Sequence, residues 1–251
     1  PIDLTMKLTG KPFVEACQWL ADEHNVILTE WKPAEKPRKA FPPDVEYLTR
    51  LVQNPVLNAE ARRFLFEERR IHPAVVQWLG ITSISVATPC WRHGKPYYDA
   101  PSLLFPYRSR TGRLMNVQSR YLGRKEGVPR FRFPSGAECR IYGLQVLERL
   151  KTGEGLWLSE GVTDCLALLS SGRKAIAIPG ATLLKPEDVK LLASLREEKK
   201  TVFHTFPDKD EAGERLYRQL LNAANEIGAC LIRDELPEGY KDFGQWWAHN
   251  T

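Results

Sequence analysis

The chain has 251 residues, 43% hydrophobic and 27% charged, with a formal net charge of +5. That is apolar material enough for one large or two moderate packed domains, and no apolar run approaches the ~18 residues of a membrane span, so no membrane partner is expected. No signal peptide is visible and the first residue is Pro1, so the expectation is a cytoplasmic fragment whose true N-terminus lies upstream.

Asp3–His24 reads as two helical pieces broken at Gly10, with Phe13, Cys17 and Leu20 on one packing face of the second. Trp31–Pro43 is rich in Pro and Lys and reads as an extended, semi-rigid linker. Two helices follow between Asn58 and Leu79, with Asn58 as an N-cap and Pro73 in a first turn. The run Glu67, Glu68, Arg69 and Arg70 reads as a solvated helix face. Ile81–Ala87 and Tyr97–Pro106 alternate as strands around a hairpin tip at residues 92–95. Cys90 and His93 resemble half a metal site, but no second pair stands at ligand spacing, so no zinc site is expected. The five cysteines are odd in number and scattered, which argues against a disulfide framework.

Leu103–Leu122 has the grammar of an antiparallel hairpin turning at residues 109–113. In Pro129–Pro134, Arg130 and Arg132 alternate with Phe131 and Phe133, which puts both arginines on one face of a strand. Residues 101–150 carry ten basic side chains against three acidic ones, a net +7, while the rest of the chain nets −2. Basic residues interleaved with Tyr107, Tyr121, Phe131 and Phe133 are what a phosphate-tracking surface with stacking rings needs. A short helix over Gln145–Leu150 and a loop then lead to Leu156.

From Leu156 the pattern changes to βαβ. The apolar run Leu156–Leu158 stops at Ser159-Glu160-Gly161, Val162–Ser170 has helical spacing up to Gly172, and Ala175–Ile178 is a second strand. A third strand, Thr201–Phe206, runs into Pro207-Asp208-Lys209-Asp210-Glu211-Ala212-Gly213 and then a helix. In an open parallel sheet, Glu160, Asp208 and Asp210 would meet outside the carboxyl ends of the strands, where ligands bind. Three carboxylates so close call for a shared proton or a hard divalent cation, and Mg²⁺ is the expectation. Asp208, Asp210 and Glu211 could instead serve only as acids capping a helix N-terminus, which leaves Glu160 unexplained.

Glu160-Gly161 and Asp208-Lys209-Asp210-Glu211-Ala212-Gly213 resemble the paired motifs of the TOPRIM fold, shared by bacterial primases, topoisomerases and several nucleases. Asp164 matches an Asp that the primases place four residues after the Glu. Upstream, Phe105-Pro106, Gly112-Arg113, Arg120, Pro129-Arg130-Phe131 and Ile141-Tyr142-Gly143-Leu144 resemble stretches of bacterial DnaG-type primases, so the resemblance covers nearly the whole chain. It implies an α/β and α+β protein: residues 1–43 as the helix that follows the primase zinc ribbon plus a linker, 44–155 as a mixed α+β subdomain, and 156–251 as a TOPRIM-like parallel-sheet domain. The zinc ribbon itself lacks a counterpart. Where the primases have a late Asp-x-Asp, residues 242–244 keep Asp242 and have Gly244 in the second position.

The resemblance further implies an RNA-primer synthase that reads single-stranded DNA as template and joins ribonucleoside triphosphates into an RNA primer, with a replicative helicase engaged through regions outside this chain. Mg²⁺ or Mn²⁺ would be held by Glu160, Asp208, Asp210 and Asp242, with Glu160, Asp164, Asp208 and Asp210 as catalytic acids. Asp164 could face the cleft or serve only as a charge at a helix N-terminus. Arg113, Arg120, Arg130 and Arg132 would form the nucleic-acid track. A TOPRIM nuclease or topoisomerase uses the same acids to break phosphodiesters, and a binding module that has lost one acid is a third reading, supported by Gly244 alone.

Overall fold

The computed structural model describes residues 2–24, 44–88, 98–134, 141–178 and 184–251. The expected linker over Trp31–Pro43, the hairpin tip at 92–95 and the Cys90/His93 pair lie outside the described residues. The chain divides into two compact units, Pro1–Lys39 and Ala40–Thr251. In the first, α1 (Ile2–Thr9) and α2 (Phe13–Glu23) are separated at Gly10 as the spacing predicts. The residues α2 buries are Ala16 and Ala21, not Phe13, which is exposed. Small side chains on that face let the helix backbone approach its neighbour closely.

In the second unit, α3 (Val45–Val52), which the sequence reading does not include, begins on an Asp44 cap, and α4 (Ala59–Arg62) begins on the expected Asn58, which accepts the backbone N–H of Ala61 at 2.9 Å. The helix then widens. Arg63–Glu68 is a π-helical turn followed by Arg70 at φ 53°, and α5 (Pro73–Leu79) starts on Pro73. Ala61, Phe64, Leu65, Val76 and Leu79 are buried, the apolar stripe that the spacing marks.

A mixed-length antiparallel sheet comes next, in the order β1 (Thr82–Ile84), β2 (Ser102–Arg108), β3 (Leu114–Tyr121), β4 (Phe131–Arg132). Its central hairpin has the register Ser102↔Tyr121 through Tyr107↔Asn116. Strand β1 pairs only with residues 102–104, so beyond it β2 is an edge, where Pro106 is tolerated. A 3₁₀ turn over Leu144–Arg149 leads out of this half.

The second sheet is wholly parallel, in the order β6 (Ala175–Ala177), β5 (Gly155–Ser159), β7 (Val202–Thr205), β8 (Leu231–Arg233). Its strands are short apolar runs because helices cover both faces. On one face Leu156, Leu158, Ile176 and Phe203 pack with residues of α7 (Pro186–Lys199) and α8 (Glu211–Glu226). On the other lie α6 (Val162–Ser170) and α9 (Phe243–Asn250). Here Trp157 donates its indole N–H to Asp234 Oδ2 at 2.8 Å and stacks on His204 at 4.4 Å, tying β5, β7 and the end of β8 together.

The core does not divide at residue 155. Ala61, Leu79, Leu103 and Phe105 share one apolar cluster with Val162, Leu166 and Phe243, within the compact unit Ala40–Thr251. Helix α6 buries both of its sides, and that shared burial is the reason.

Candidate functional site

The strand order places the site. From β5 the chain goes outward to β6, then returns past β5 to β7. The carboxyl ends of β5 and β7 therefore flank the point where the winding reverses, the place where an open α/β sheet leaves a crevice. Glu160 follows β5 directly, and Asp208 follows β7 after Phe206-Pro207. Both line a cleft of about 360 Å³ together with Asp164 from the first turn of α6 and Asp242 from the start of α9.

Burial and mutual repulsion set the protonation of these acids. Asp208 is pushed up to about 8, first by burial and then by the charges of Asp164, Glu160, Asp242 and Asp210. Asp164 is raised to about 7 by burial and then by Asp242, against a hydrogen bond from the Gly244 N–H at 2.9 Å. Glu160 is raised by burial and then by Asp210, and its Oε2 is buried with no hydrogen-bond partner. Asp210 behaves oppositely. Its Oδ2 lies 2.8 Å from Lys241 Nζ and its Oδ1 caps α8 by accepting the Gly213 N–H at 2.9 Å, so its pKa is lowered, chiefly by the Lys241 hydrogen bond. A methyl at position 213 would lie 2.3 Å from the Asp208 carbonyl oxygen, so glycine there is what lets α8 start against Asp208.

The opposite wall is basic. Arg69, Arg120 and Arg130 line the cleft with Gln118 and Phe131. The Arg120 guanidinium lies 4.3 Å from the Phe64 ring centre and 5.0 Å from that of Phe131, a cation held between two aromatic faces. It is 8% exposed, its Nε has no hydrogen-bond partner, and its pKa is lowered to about 10 by burial and then by Arg69 and Arg130. A cleft with carboxylates on one side and, on the other, a buried guanidinium whose Nε has no partner suits a ligand carrying both phosphate and divalent cation.

Residues 157–246 match the family model described as Toprim-like. The chain is 23% identical over 277 residues to the DNA primase of Clostridium acetobutylicum, covering 95% of this chain and 44% of that protein, so it spans under half the length of the curated relative. Among solved structures it superposes on the zinc-binding and RNA polymerase domains of the Aquifex aeolicus primase with a TM-score of 0.66 at 18% identity, over 99% of this chain and 67% of that one. On a DnaG primase catalytic domain bound to single-stranded DNA the TM-score is 0.61 at 21% identity, over 82% and 76%. This is the fold of a DnaG-type primase catalytic core.

Within this primase-core fold the expected site residues fall into groups. Glu160, Asp164, Asp208 and Asp242 meet in the cleft, and Asp210 stands beside them, joined through Lys241. Arg120 and Arg130 face the acids, but Arg113 and Arg132 do not line the cleft. Arg113 sits at the β2–β3 turn with its guanidinium 3.7 Å from Met115 Sδ, and Arg132 pairs with Asp99 Oδ2 at 2.9 Å. Arg130 and Arg132 were expected on one face; the strand there is only two residues long, Phe131–Arg132, and Arg130 lies outside it. Arg69 and Lys241 are additions. Arg69, expected on a solvated helix face, is turned into the cleft by the π-helical turn and the left-handed Arg70 that follow Arg62, features that helical periodicity does not encode.

The donor set fits a hard divalent cation: the acids are oxygen donors, Glu160 Oε2 lacks a partner, and the pKa values of Asp164 and Asp208 are raised by burial and then by the neighbouring carboxylates. Among the described residues no three His, Cys, Asp or Glu side chains form a closed cage as they stand. Asp210 and Asp242 spend one oxygen each on helix caps, and Lys241 holds the other oxygen of Asp210. Closing on an ion therefore requires side-chain movement, with the Lys241 ammonium the group to be displaced.

Proposed function

We propose that this chain is the catalytic core of a DNA primase, joining ribonucleoside triphosphates into a short RNA primer on a single-stranded DNA template. The observation that carries this reading is the single cleft in which Glu160, Asp164, Asp208 and Asp242 face Arg69, Arg120 and Arg130. A similar solved structure, a DnaG primase catalytic domain bound to single-stranded DNA, supports the template. A cytoplasmic location goes with that reading, and no helix of the described residues is long and apolar enough to cross a membrane.

Asp208, Asp210 and Asp242 are the residues to hold Mg²⁺ or Mn²⁺, which when bound offsets the charge of the triphosphate and of the leaving pyrophosphate. The remaining work falls to the chain. Arg120, desolvated and held between two rings, binds phosphate oxygens, with Arg69 and Arg130 beside it. Glu160, raised by burial, takes the proton of the primer 3′-hydroxyl on its unpartnered Oε2 as the 3′-oxygen attacks the α-phosphorus. The bond from the α-phosphorus to the bridging oxygen breaks, and pyrophosphate leaves.

A phosphodiester-cleaving enzyme would use the same acids, and among the described residues that line the cleft there is no tyrosine of the kind a topoisomerase uses as nucleophile. Nucleotide incorporation and nuclease activity measured side by side with Mg²⁺ or Mn²⁺ separate the readings. Incorporation lost in Asp208→Asn is the expected result. Cleavage without incorporation would overturn the proposal, and binding of single-stranded DNA with neither activity would favour a binding module.

A further inference from the structure

The carboxyl of Asp164 is lodged between two glycines. Gly244 donates its backbone N–H to Oδ1 at 2.9 Å, and a methyl placed on Gly244 would lie 2.6 Å from that oxygen and 3.6 Å from Cγ. On the other side, a methyl on Gly161 would lie 2.9 Å from Oδ2. Neither glycine is there for a left-handed backbone: Gly161 has φ −110°, and Gly244 is the second residue of α9, where alanine is the better helix former. Both positions are short of space, and in both the space is taken by the same carboxyl.

The two glycines come from distant parts of the chain. Gly161 is the N-cap of α6 and Gly244 follows the Asp242 cap of α9, so the slot exists only when these helices pack together, as they do on one face of the parallel sheet. We propose that Gly161 and Gly244 are positioning residues whose missing side chains form the slot that fixes Asp164 in the acidic cleft. This rests on the cation-binding reading above for its consequence, though not for its geometry. Without a side chain at 244 the cleft of this chain keeps the carboxyl of Asp164 against the α9 backbone.

The test is a cycle of four proteins: the natural chain, Gly244→Ala, Asp164→Ala and the double variant, each followed by thermal melting and by Mn²⁺ binding in electron paramagnetic resonance titrations. The expected result is a reversal of sign. Gly244→Ala lowers the melting temperature when Asp164 is present and raises it when Asp164 is Ala, because the added methyl then meets only Asp242 Oδ1, at an ordinary contact distance of 3.5 Å, and favours the helix. Mn²⁺ affinity falls about tenfold in Gly244→Ala, as it does in Asp164→Ala, and no further in the double variant. An equal melting shift in both backgrounds, or full Mn²⁺ affinity in Gly244→Ala, overturns the slot. If Gly244→Ala alone fails to fold, recovery of folding in the double variant supports the contact, and continued failure overturns it. A natural chain that binds no Mn²⁺ refutes the cation reading of the cleft, while the melting cycle still decides the slot.

Discussion

Trp247 donates its indole N–H to the backbone carbonyl of Arg70 at 3.0 Å, joining the last helix of the chain to the left-handed residue next to Arg69. The helix that carries Asp242 at its start thus also braces the turn that aims Arg69 into the cleft. A left-handed arginine is strained, and such strain persists only where neighbouring contacts hold it. Trp247→Phe keeps the ring against Phe243 and removes the donor. A lost hydrogen bond of about 1 kcal/mol would raise KM for the nucleotide by roughly fivefold with kcat little changed. Steady-state incorporation kinetics check the split; a loss confined to kcat would show that the brace acts elsewhere.

Asp208 and Asp210 are separable by stability. Asp208→Asn is neutral without having to take up the proton that burial and four neighbouring carboxylates force on Asp208, so at neutral pH the metal-free chain should melt higher than the natural one while nucleotide incorporation disappears. Asp210→Asn keeps an oxygen to cap α8 but loses the ion pair with Lys241, exposed enough to be worth little, so its melting temperature should move by only a degree or two. Incorporation should again be lost. Differential scanning calorimetry on both variants, without added metal, gives the comparison.

Stability of the metal-free chain should fall as pH rises. Asp164 and Asp208 have folded pKa values of about 7 and about 8 against an ordinary 3.8, so the folded state holds protons that the unfolded state has released between those limits. Their contribution is greatest below about pH 4 and is lost progressively up to about pH 8. The slope is at most about 1.4 kcal/mol per pH unit for each proton that differs. Mg²⁺ should raise the melting temperature more at pH 8.5 than at pH 5.5, since at the lower pH it must displace protons. Melting curves across that range with and without Mg²⁺ test both statements, and a stability that rises from pH 5 to 8 would contradict the first.

Arg120→Ala should weaken binding of a short single-stranded oligonucleotide and reduce the slope of log affinity against log salt by about 0.7. Arg120→Lys keeps the charge and loses the flat guanidinium between Phe64 and Phe131, so it should restore the salt slope but not the full affinity. Arg132→Ala breaks a pair with Asp99 outside the cleft and should leave the slope nearer that of the natural chain. Equal slopes for the natural chain and Arg120→Ala would remove Arg120 from the nucleic-acid track.

Local chemistry made much of this legible in the sequence. The apolar run Leu156–Leu158 that stops at Glu160-Gly161 marks β5, the largely apolar and β-branched run Thr201–Phe206 that ends at Pro207-Asp208 marks β7, and the Leu103–Leu122 hairpin follows from alternation around a Gly-containing turn. These patterns are local because strand, turn and cap are satisfied within a few residues. Four elements are not marked in this way: α3, α7, β8 and α9. Helix α7 has no clear apolar stripe, β8 is three residues long, and α9 is a short C-terminal helix whose acid cap resembles any surface Asp.

The sequence by itself determined that acids stand at strand ends and that arginines cluster upstream, since each of those facts is a matter of neighbours along the chain. Only the tertiary structure decided which of them meet. The order β6-β5-β7-β8 puts Glu160 beside Asp208; the packing of α9 on α6 brings Asp242 and Gly244 to Asp164 across about 80 residues of chain; and the π-helical turn sends Arg69 into the cleft while Arg132 is spent on Asp99. Burial, which raises the pKa of Asp208 and lowers that of Arg120, belongs to no single segment. It arises when separate elements exclude water from the same small volume.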